Sequence, residues 1–477
     1  MPSSIATAVY VLAIAGLFVL NRDPKARTSK ALWIPVVWFL IVGSREVSAW
    51  LAEFGIVQGS YLETPEQYLE GNPIDRVVYT GLLMLGLIVL IPRGQKVVSL
   101  LRANLPIVLF FLYCGISILW SDYPGVAMKR WIKAVGDLVM VMVVLTDPDR
   151  LAAIKRLLTR VAFLLIPLSI LLIKYYPDLG AGYNIHHWTR VLTGVTTNKN
   201  FLGVICLIFG LGCEWRFLAA YQARKGKART RQLIAHGALL VMVFWLLLSA
   251  NSMTSLACFL LAGGLLAATR FRAVVRRPSA VHLLVAVVVL VSFSTLFLGV
   301  GGGALETMGR DASLTGRTAI WKLVLSLSGN PLIGTGFESF WLGKRLETVW
   351  TTMIGIQEAH NGYLEVFLNL GWIGVTLLAA IMVTGYRNIL VEYRKDPDLG
   401  RLRLAYVVVG VVYNFTEAGF RMLNPIWSMF LLATMAVPKI PVAARPSLPS
   451  SKDQLAKYDS QVEQELCVGL RRGNDVP

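Results

Sequence analysis

The sequence is short of acid, of histidine and of cysteine. Asp and Glu number 28 against 46 Lys and Arg, which leaves a formal net charge of +18 over 477 residues. In a soluble chain such an excess would point to nucleic acid. Here the basic residues fall between long apolar runs, as they do when a polytopic membrane protein keeps Lys and Arg in its cytoplasmic loops, so no nucleic-acid partner is expected. Of the 5 Cys, Cys114, Cys206, Cys213 and Cys258 sit inside apolar runs and Cys467 lies near the end. Their spacing suggests neither a disulfide framework nor a metal site. Of the 5 His, His236 and His282 stand at the starts of apolar runs. His186 and His187 would need His360 to make a metal site, and no carboxylate or Cys completes a recognisable spacing, so no metal and no cofactor are expected. A P-loop, a dinucleotide fingerprint and an Asp-x-Asp pair are all missing, which leaves cytoplasmic nucleotide-sugar or ATP chemistry without a visible site.

What is present is apolar: 55% of residues are hydrophobic and 16% charged. At roughly 20 residues per span the chain reads as an all-α, polytopic helical membrane protein of about thirteen transmembrane helices. The expected spans are 5–20, 31–51, 77–91, 105–119, 131–145, 161–173, 201–218, 234–248, 253–269, 281–300, 363–384, 404–420 and 426–437. The first has no basic region before it and no small-residue cleavage site, so it reads as a retained span rather than a signal peptide. The basic loops, with Arg22, Arg93, Arg156, Arg229, Arg272 and Arg394 among them, alternate with acidic or neutral ones such as that holding Glu63, Glu66 and Glu70. That alternation places the N-terminus outside and the C-terminus inside. Residues 1–437 form the membrane domain, 301–361 a large external loop, and the Pro-, Ser- and charge-rich stretch 438–477 a disordered cytoplasmic tail.

Charges that break this pattern carry the functional signal. Lys129, Arg130 and Lys133 stand at the external end of a span, Lys174, Arg190 and Lys199 flank or lie in an external loop, and Arg310, Arg317, Lys344 and Arg345 lie in the large one. Arg45 and Glu46 fall within the second span, and Glu417 and Arg421 end the twelfth. Ionisable residues in a membrane face a partner or a cavity. Lys133 with Asp137, and Glu417 with Arg421, have the i,i+4 spacing of pairs that satisfy each other. Arg190, Lys199 and Arg317 have no sequence-local acid, and several external cations converging on one pocket would suit a pyrophosphate. Asn361, Glu365 and Asn369 form an i,i+4,i+8 stripe that faces either Asn414 and Glu417 on the next span or a sugar cleft.

The longest segment that is neither a span nor a tail runs from Gly309 to Gly374. Thr315 is a good N-cap for a short helix carrying Arg317 and an apolar face of Ile320, Trp321, Val324 and Leu325. Gly329, Pro331, Gly334 and Gly336 mark tight turns. Gly316-Arg317-Thr318 with Trp321, the run Asn330-Pro331-Leu332-Ile333-Gly334-Thr335-Gly336-Phe337, then Ala359-His360-Asn361-Gly362-Tyr363-Leu364 and Gly371-Trp372-Ile373-Gly374 together resemble the signature domain of the O-antigen ligase and polymerase superfamily. The resemblance covers about 235–380 and looks closest to the exopolysaccharide-polymerase branch. Thr197-Asn198-Lys199-Asn200 and Trp120-Ser121-Asp122-Tyr123-Pro124 with Arg130 also resemble the family.

The resemblance implies a GT-C-like glycosyltransferase of a bacterial inner membrane. It would move glycan, with inversion and without metal, from an undecaprenyl-diphosphate carrier to a sugar hydroxyl on the periplasmic side. It puts Arg317 on the pyrophosphate and His360 near the acceptor hydroxyl. Arg190, Lys199, Asn361, Glu365, Arg130 and Arg310 are candidate substrate contacts. The partners implied are the lipid-linked glycan, a sugar acceptor, membrane lipids and other polysaccharide-assembly proteins. His360, at the positive end of a helix dipole, is expected to be the neutral imidazole that a general base requires. One departure concerns the turn Ser249–Ser255, where relatives carry a basic residue and this chain has Met253. That weakens an O-antigen ligase reading, attachment of finished polymer to lipid A-core, more than a polymerase reading. A lipid-glycan flippase is the alternative of another class, and it should show a midplane site with discontinuous helices.

Overall fold

In lipid a backbone has no water to bond, so an apolar run must close its hydrogen bonds internally, and a helix does so. The computed structural model describes residues 1–23, 27–57, 69, 71–183, 189–271, 278–297 and 315–438. Each apolar segment expected from the sequence falls, over most of its described length, on a helix. Six helices are long and apolar enough to cross a membrane: Ser3–Leu20, Pro73–Ala103, Arg150–Tyr175, Lys199–Gln222, Lys227–Ala250 and Gly362–Lys395. Lys30–Val42 and Val47–Glu53, bent by 58°, qualify as a seventh, broken span. Leu105–Trp120, Met253–Ala268, Ser279–Ser294 and Pro425–Thr434 are shorter apolar helices. The protein is a multi-pass helical membrane protein. The tail expected to be disordered lies outside the described residues from 439 onward, as do His186, His187 and Arg310.

Helix starts follow local chemistry. Asn72-Pro73 and Asn424-Pro425 place an amide oxygen on an otherwise orphaned N–H (Ile74 and Ile426, both 2.9 Å), with proline at the first helical position, where its missing N–H costs nothing. The Lys199–Gln222 helix is the central one. It packs on Arg150–Tyr175, Lys227–Ala250, Met253–Ala268 and Pro397–Tyr413, and Leu202, Ile205, Leu207 and Phe209 are fully buried along it.

Two breaks in the helices position the polar groups. At the first, Arg45 is buried, ion-paired to Glu53 at 2.8 Å, and donates to the Leu179 and Thr196 carbonyls. It ties the broken span to the Thr197–Asn200 region. The second lies at Gly371, inside Gly362–Lys395, where the backbone leaves helical angles (φ 62°, ψ −165°). The freed Leu368 and Asn369 carbonyls accept from Thr335 N (3.1 Å) and Gly336 N (2.9 Å), while Trp372 N and Ile373 N donate to Pro331 and Leu332. The 330–337 loop thus replaces the hydrogen bonds that the helix lost. Gly334 (φ 68°) and Gly371 are required for this approach: a Cβ on either would sit 2.3–2.5 Å from the facing segment's backbone.

The segment expected as a span over 404–420 leaves the helix at Asn414. Its Oδ1 accepts from Gly419 N (2.7 Å) and Phe420 N (2.9 Å), while its Nδ2 donates to the Gly410 carbonyl (2.7 Å), which folds the chain into a turn. Glu417 and Arg421 are therefore on a loop, not a helix face.

Candidate active site

The loop from Thr315 to Asn361 is anchored at several points along its length. Ile320 and Val324 on helix Thr315–Ser326 pack with Phe340, Trp341, Leu346, Val349 and Leu368 in a small core of their own, whereas Leu325, expected on the same face, is exposed. Trp321 Nε1 donates to the Ala359 carbonyl (2.8 Å), and Trp350 Nε1 to that of Ile356 (2.9 Å). Ser117 Oγ accepts from Phe337 N (3.0 Å), Ser121 Oγ bonds Ser339 Oγ (2.8 Å), and Asp122 pairs with Arg345 (2.6 Å). The Trp120–Pro124 motif therefore clamps the loop's middle.

These anchors hold a closed set of alternating charges. Glu417, 8% exposed, spends Oε1 on Arg317 Nη2 (3.0 Å) and Oε2 on His360 Nδ1 (3.3 Å). Glu358 Oε1 meets the same His360 nitrogen at 3.0 Å, and its Oε2 lies 3.7 Å from Arg421 Nη1. Arg421 Nη2 reaches Glu338 at 3.3 Å. Two guanidiniums and one imidazolium therefore balance three carboxylates. Burial alone would lower the His360 pKa, but the hydrogen bonds and charges of Glu358 and Glu417 outweigh it and raise the value to about 10. For Glu358, burial would raise the pKa, and the bond to His360 with the charges of His360, Arg421 and Arg317 carries it below its ordinary value instead.

Several expectations change here. His360 is not the neutral imidazole foreseen from the helix dipole, because two carboxylates a few ångströms away outweigh a partial charge. Glu417 and Arg421 do not pair with each other, since the i,i+4 rule needs a helix. Lys133 turns to Glu46 (3.9 Å), and Asp137 instead accepts from Trp38 Nε1 (2.9 Å) and Leu423 N (2.8 Å). Arg317, which has no nearby acid in sequence, has one in space.

Among the expected substrate contacts, Asn361 caps the long helix through Tyr363 N and Leu364 N (both 3.0 Å). Glu365 is buried, accepting from Trp341 Nε1 (2.9 Å) and Ala359 N (2.5 Å). Asn369, third in the stripe, holds Ser339 N and Phe340 N (2.9 and 3.1 Å). The stripe faces the signature loop more than the next helix. Arg130 donates to the Glu338 carbonyl. Arg190 is exposed on the second strand of a hairpin, Ala181–Tyr183 with Arg190–Leu192, and Lys199 opens the central helix. Among the described residues, the ion pairs of the cluster involve neither. Nothing in the spacing gives Glu338 a partner, although a non-glycine residue at φ 49°, two residues after Gly336 at φ 95°, marks a constrained turn.

Behind Arg421 a cavity of about 30 Å³, lined by Glu338, Glu365, Phe110, Phe420 and Trp427 among others, has room for water. Glu358, His360 and Glu417 also bring three donor atoms within 4.8 Å of one another, a spacing that could hold a metal ion. Arg317 and Arg421 already share those carboxylates, so a cation there would face two guanidiniums.

Fold and site together define a class: a multi-pass helical membrane protein with a charged loop docked onto a broken span. Residues 237–379 match the O-antigen ligase family. Over 318 residues the chain is 26% identical to the exopolysaccharide production protein ExoQ of Rhizobium meliloti (strain 1021), an alignment covering 64% of this chain and 70% of that relative. The chain therefore carries an O-antigen-ligase-like domain within a multi-pass helical membrane protein, and its likeness to an exopolysaccharide production protein extends beyond that domain. Arg317, Glu338, Glu358 and His360 lie within the matched residues, and Glu417 and Arg421 come after them.

Proposed function

We propose that the protein extends a surface polysaccharide by moving glycan from an undecaprenyl-diphosphate-linked donor to a sugar hydroxyl. The reaction runs on the periplasmic side of the inner membrane, with inversion and without a metal ion. The observation that carries this reading is the charge-balanced cluster of Arg317, Glu417, His360, Glu358, Arg421 and Glu338. A departing lipid diphosphate develops negative charge, and preorganised cations in a partly desolvated site stabilise it without reorganising. Arg317 is a quarter exposed and holds Glu417 by one nitrogen, which leaves the rest of its fork for a phosphate oxygen. His360, held as a cation, is a second donor to that charge.

Extension is favoured over ligation of finished polymer to lipid A-core. Met253 opens helix Met253–Ala268, and the next residue, Thr254, bonds Thr416 at 3.1 Å, beside Glu417. The basic residue that relatives carry in this turn would thus stand next to the cluster, and here it is an apolar side chain. The helix breaks that a flippase would require are closed by protein groups at Gly371 and Arg45, which supports a fixed external site over a moving midplane one. A deletion strain tests the reading. It should accumulate single repeat units on the lipid carrier, whereas full-length polymer on the carrier would show a ligase, and repeat units held at the cytoplasmic leaflet a flippase.

A further inference from the structure

Within the function proposed above, we propose that Glu358 is the group that takes the acceptor's proton, with His360 its cationic partner and not the base. The carboxylates of the cluster differ in which oxygens are engaged. Both oxygens of Glu417 are taken, by Arg317 at 3.0 Å and by His360 at 3.3 Å, and its side chain is 8% exposed. Glu338 is buried against Arg421. Glu365 is buried under Trp341 and Ala359. Glu358 alone among these four is a third exposed, and among the described residues its Oε2 has only the 3.7 Å approach of Arg421, beyond hydrogen-bond reach. That oxygen has lone pairs open to an incoming hydroxyl.

The segment carrying Glu358 is also fixed in place. Arg421 Nη1 donates to the Gln357 carbonyl at 3.4 Å, Trp321 Nε1 to that of Ala359 at 2.8 Å, and Glu365 takes the Ala359 N–H at 2.5 Å. A carboxylate held on both sides by backbone anchors is preorganised, as a proton acceptor has to be. Among the described residues the titratable and charged groups facing it are His360 on its own segment, Arg317 from the loop helix, Tyr413 at the end of helix Pro397–Tyr413, and Glu417 and Arg421 from the turn after Asn414, with Glu338 beyond Arg421. The cations keep Glu358 ionised, and both ring nitrogens of a protonated His360 carry hydrogen, so His360 cannot accept one.

In the transfer step the acceptor oxygen forms a bond to the anomeric carbon, and that carbon's bond to the diphosphate oxygen breaks. The electron pair leaves with the diphosphate, and the hydroxyl proton passes to Glu358. A carboxylate whose pKa is lowered takes this proton late, once the hydroxyl has become acidic by bonding.

The test uses the full-length protein in lipid nanodiscs, with a lipid-diphosphate-linked oligosaccharide as donor and a free oligosaccharide as acceptor. Glu358→Gln should lower turnover by roughly 10²–10⁴-fold while donor binding persists, and the acidic limb of the wild-type pH–rate profile should vanish with it. In Glu358→Gly, added azide, an anion that needs no base, should restore consumption of donor and yield a glycosyl azide of the natural product's configuration. A merely structural Glu358 would give no such product. The inference is overturned if Glu358→Gln turns over at the wild-type rate, if azide rescues His360→Gly instead, or if chelator abolishes wild-type activity and a divalent cation restores it. A wild type that transfers nothing overturns the proposed function itself.

Discussion

At Glu417 two cations far apart in sequence share one carboxylate, and each leans on it differently. Arg317 supplies a charge with spare donors, so Arg317→Ala should abolish product while membrane levels of the protein stay normal. Arg317→Lys should also fail, because a compact ammonium lacks the planar fork that can bond Glu417 through one nitrogen and present the others in fixed geometry to a phosphate. His360 leaves a signature in stability. Its pKa of about 10 in the folded protein compares with about 6.5 for a free imidazole. The folded state therefore binds the proton more tightly, and the stabilisation is complete below about pH 6.5 and lost as pH rises toward 10. Thermal unfolding of the solubilised protein should show wild type above His360→Gln at pH 6, with the gap closing by pH 10; a constant gap would contradict the paired imidazolium. Arg317 and His360 are legible in the sequence as site residues because they stand in quotable motifs. Their shared partner is not, since Glu417 lies four residues from Arg421, and nothing local reveals that the helix ends at Asn414.

The elements themselves are largely legible, because hydropathy alone decides where a backbone must bond to itself. The breaks are not. Gly371 sits mid-helix in an apolar run, and only the 330–337 loop, threading past it with matching N–H and C=O groups, makes a break there stable. That pairing is non-local, as is the clamp from Ser117 and Ser121. Gly371→Ala or Gly334→Ala should each cost at least about 1–2 kcal/mol from the left-handed backbone alone, and more from the backbone clash. Both should lower the unfolding temperature and transfer rate together. Gly16→Ala, inside helix Ser3–Leu20 where a Cβ meets nothing within 4 Å, should lower neither, since alanine is the better helix former. Equal effects at all three positions would remove the loop–helix docking from the account.

Across the whole molecule, orientation is the first thing to establish, because a site on the cytoplasmic side could not meet a periplasmic donor. Among the described residues the free cysteines, Cys114, Cys206, Cys213 and Cys258, are all buried, so single-Cys labelling has a quiet background once Cys467 is replaced. Cys introduced at Arg190 should label from outside in intact cells, and at Arg229 only after permeabilisation; the reverse would sink the periplasmic mechanism.

The measurement closest to the central claim is elongation by the purified protein in nanodiscs with excess chelator, given lipid-diphosphate-linked repeat units and monitored by mass spectrometry of the products. Wild type should lengthen glycan and release lipid diphosphate in equal amounts, while Arg317→Ala and His360→Ala, folded and at equal concentration, should do neither. Unimpaired elongation by both variants, or none by wild type until a divalent cation is supplied, would contradict the account.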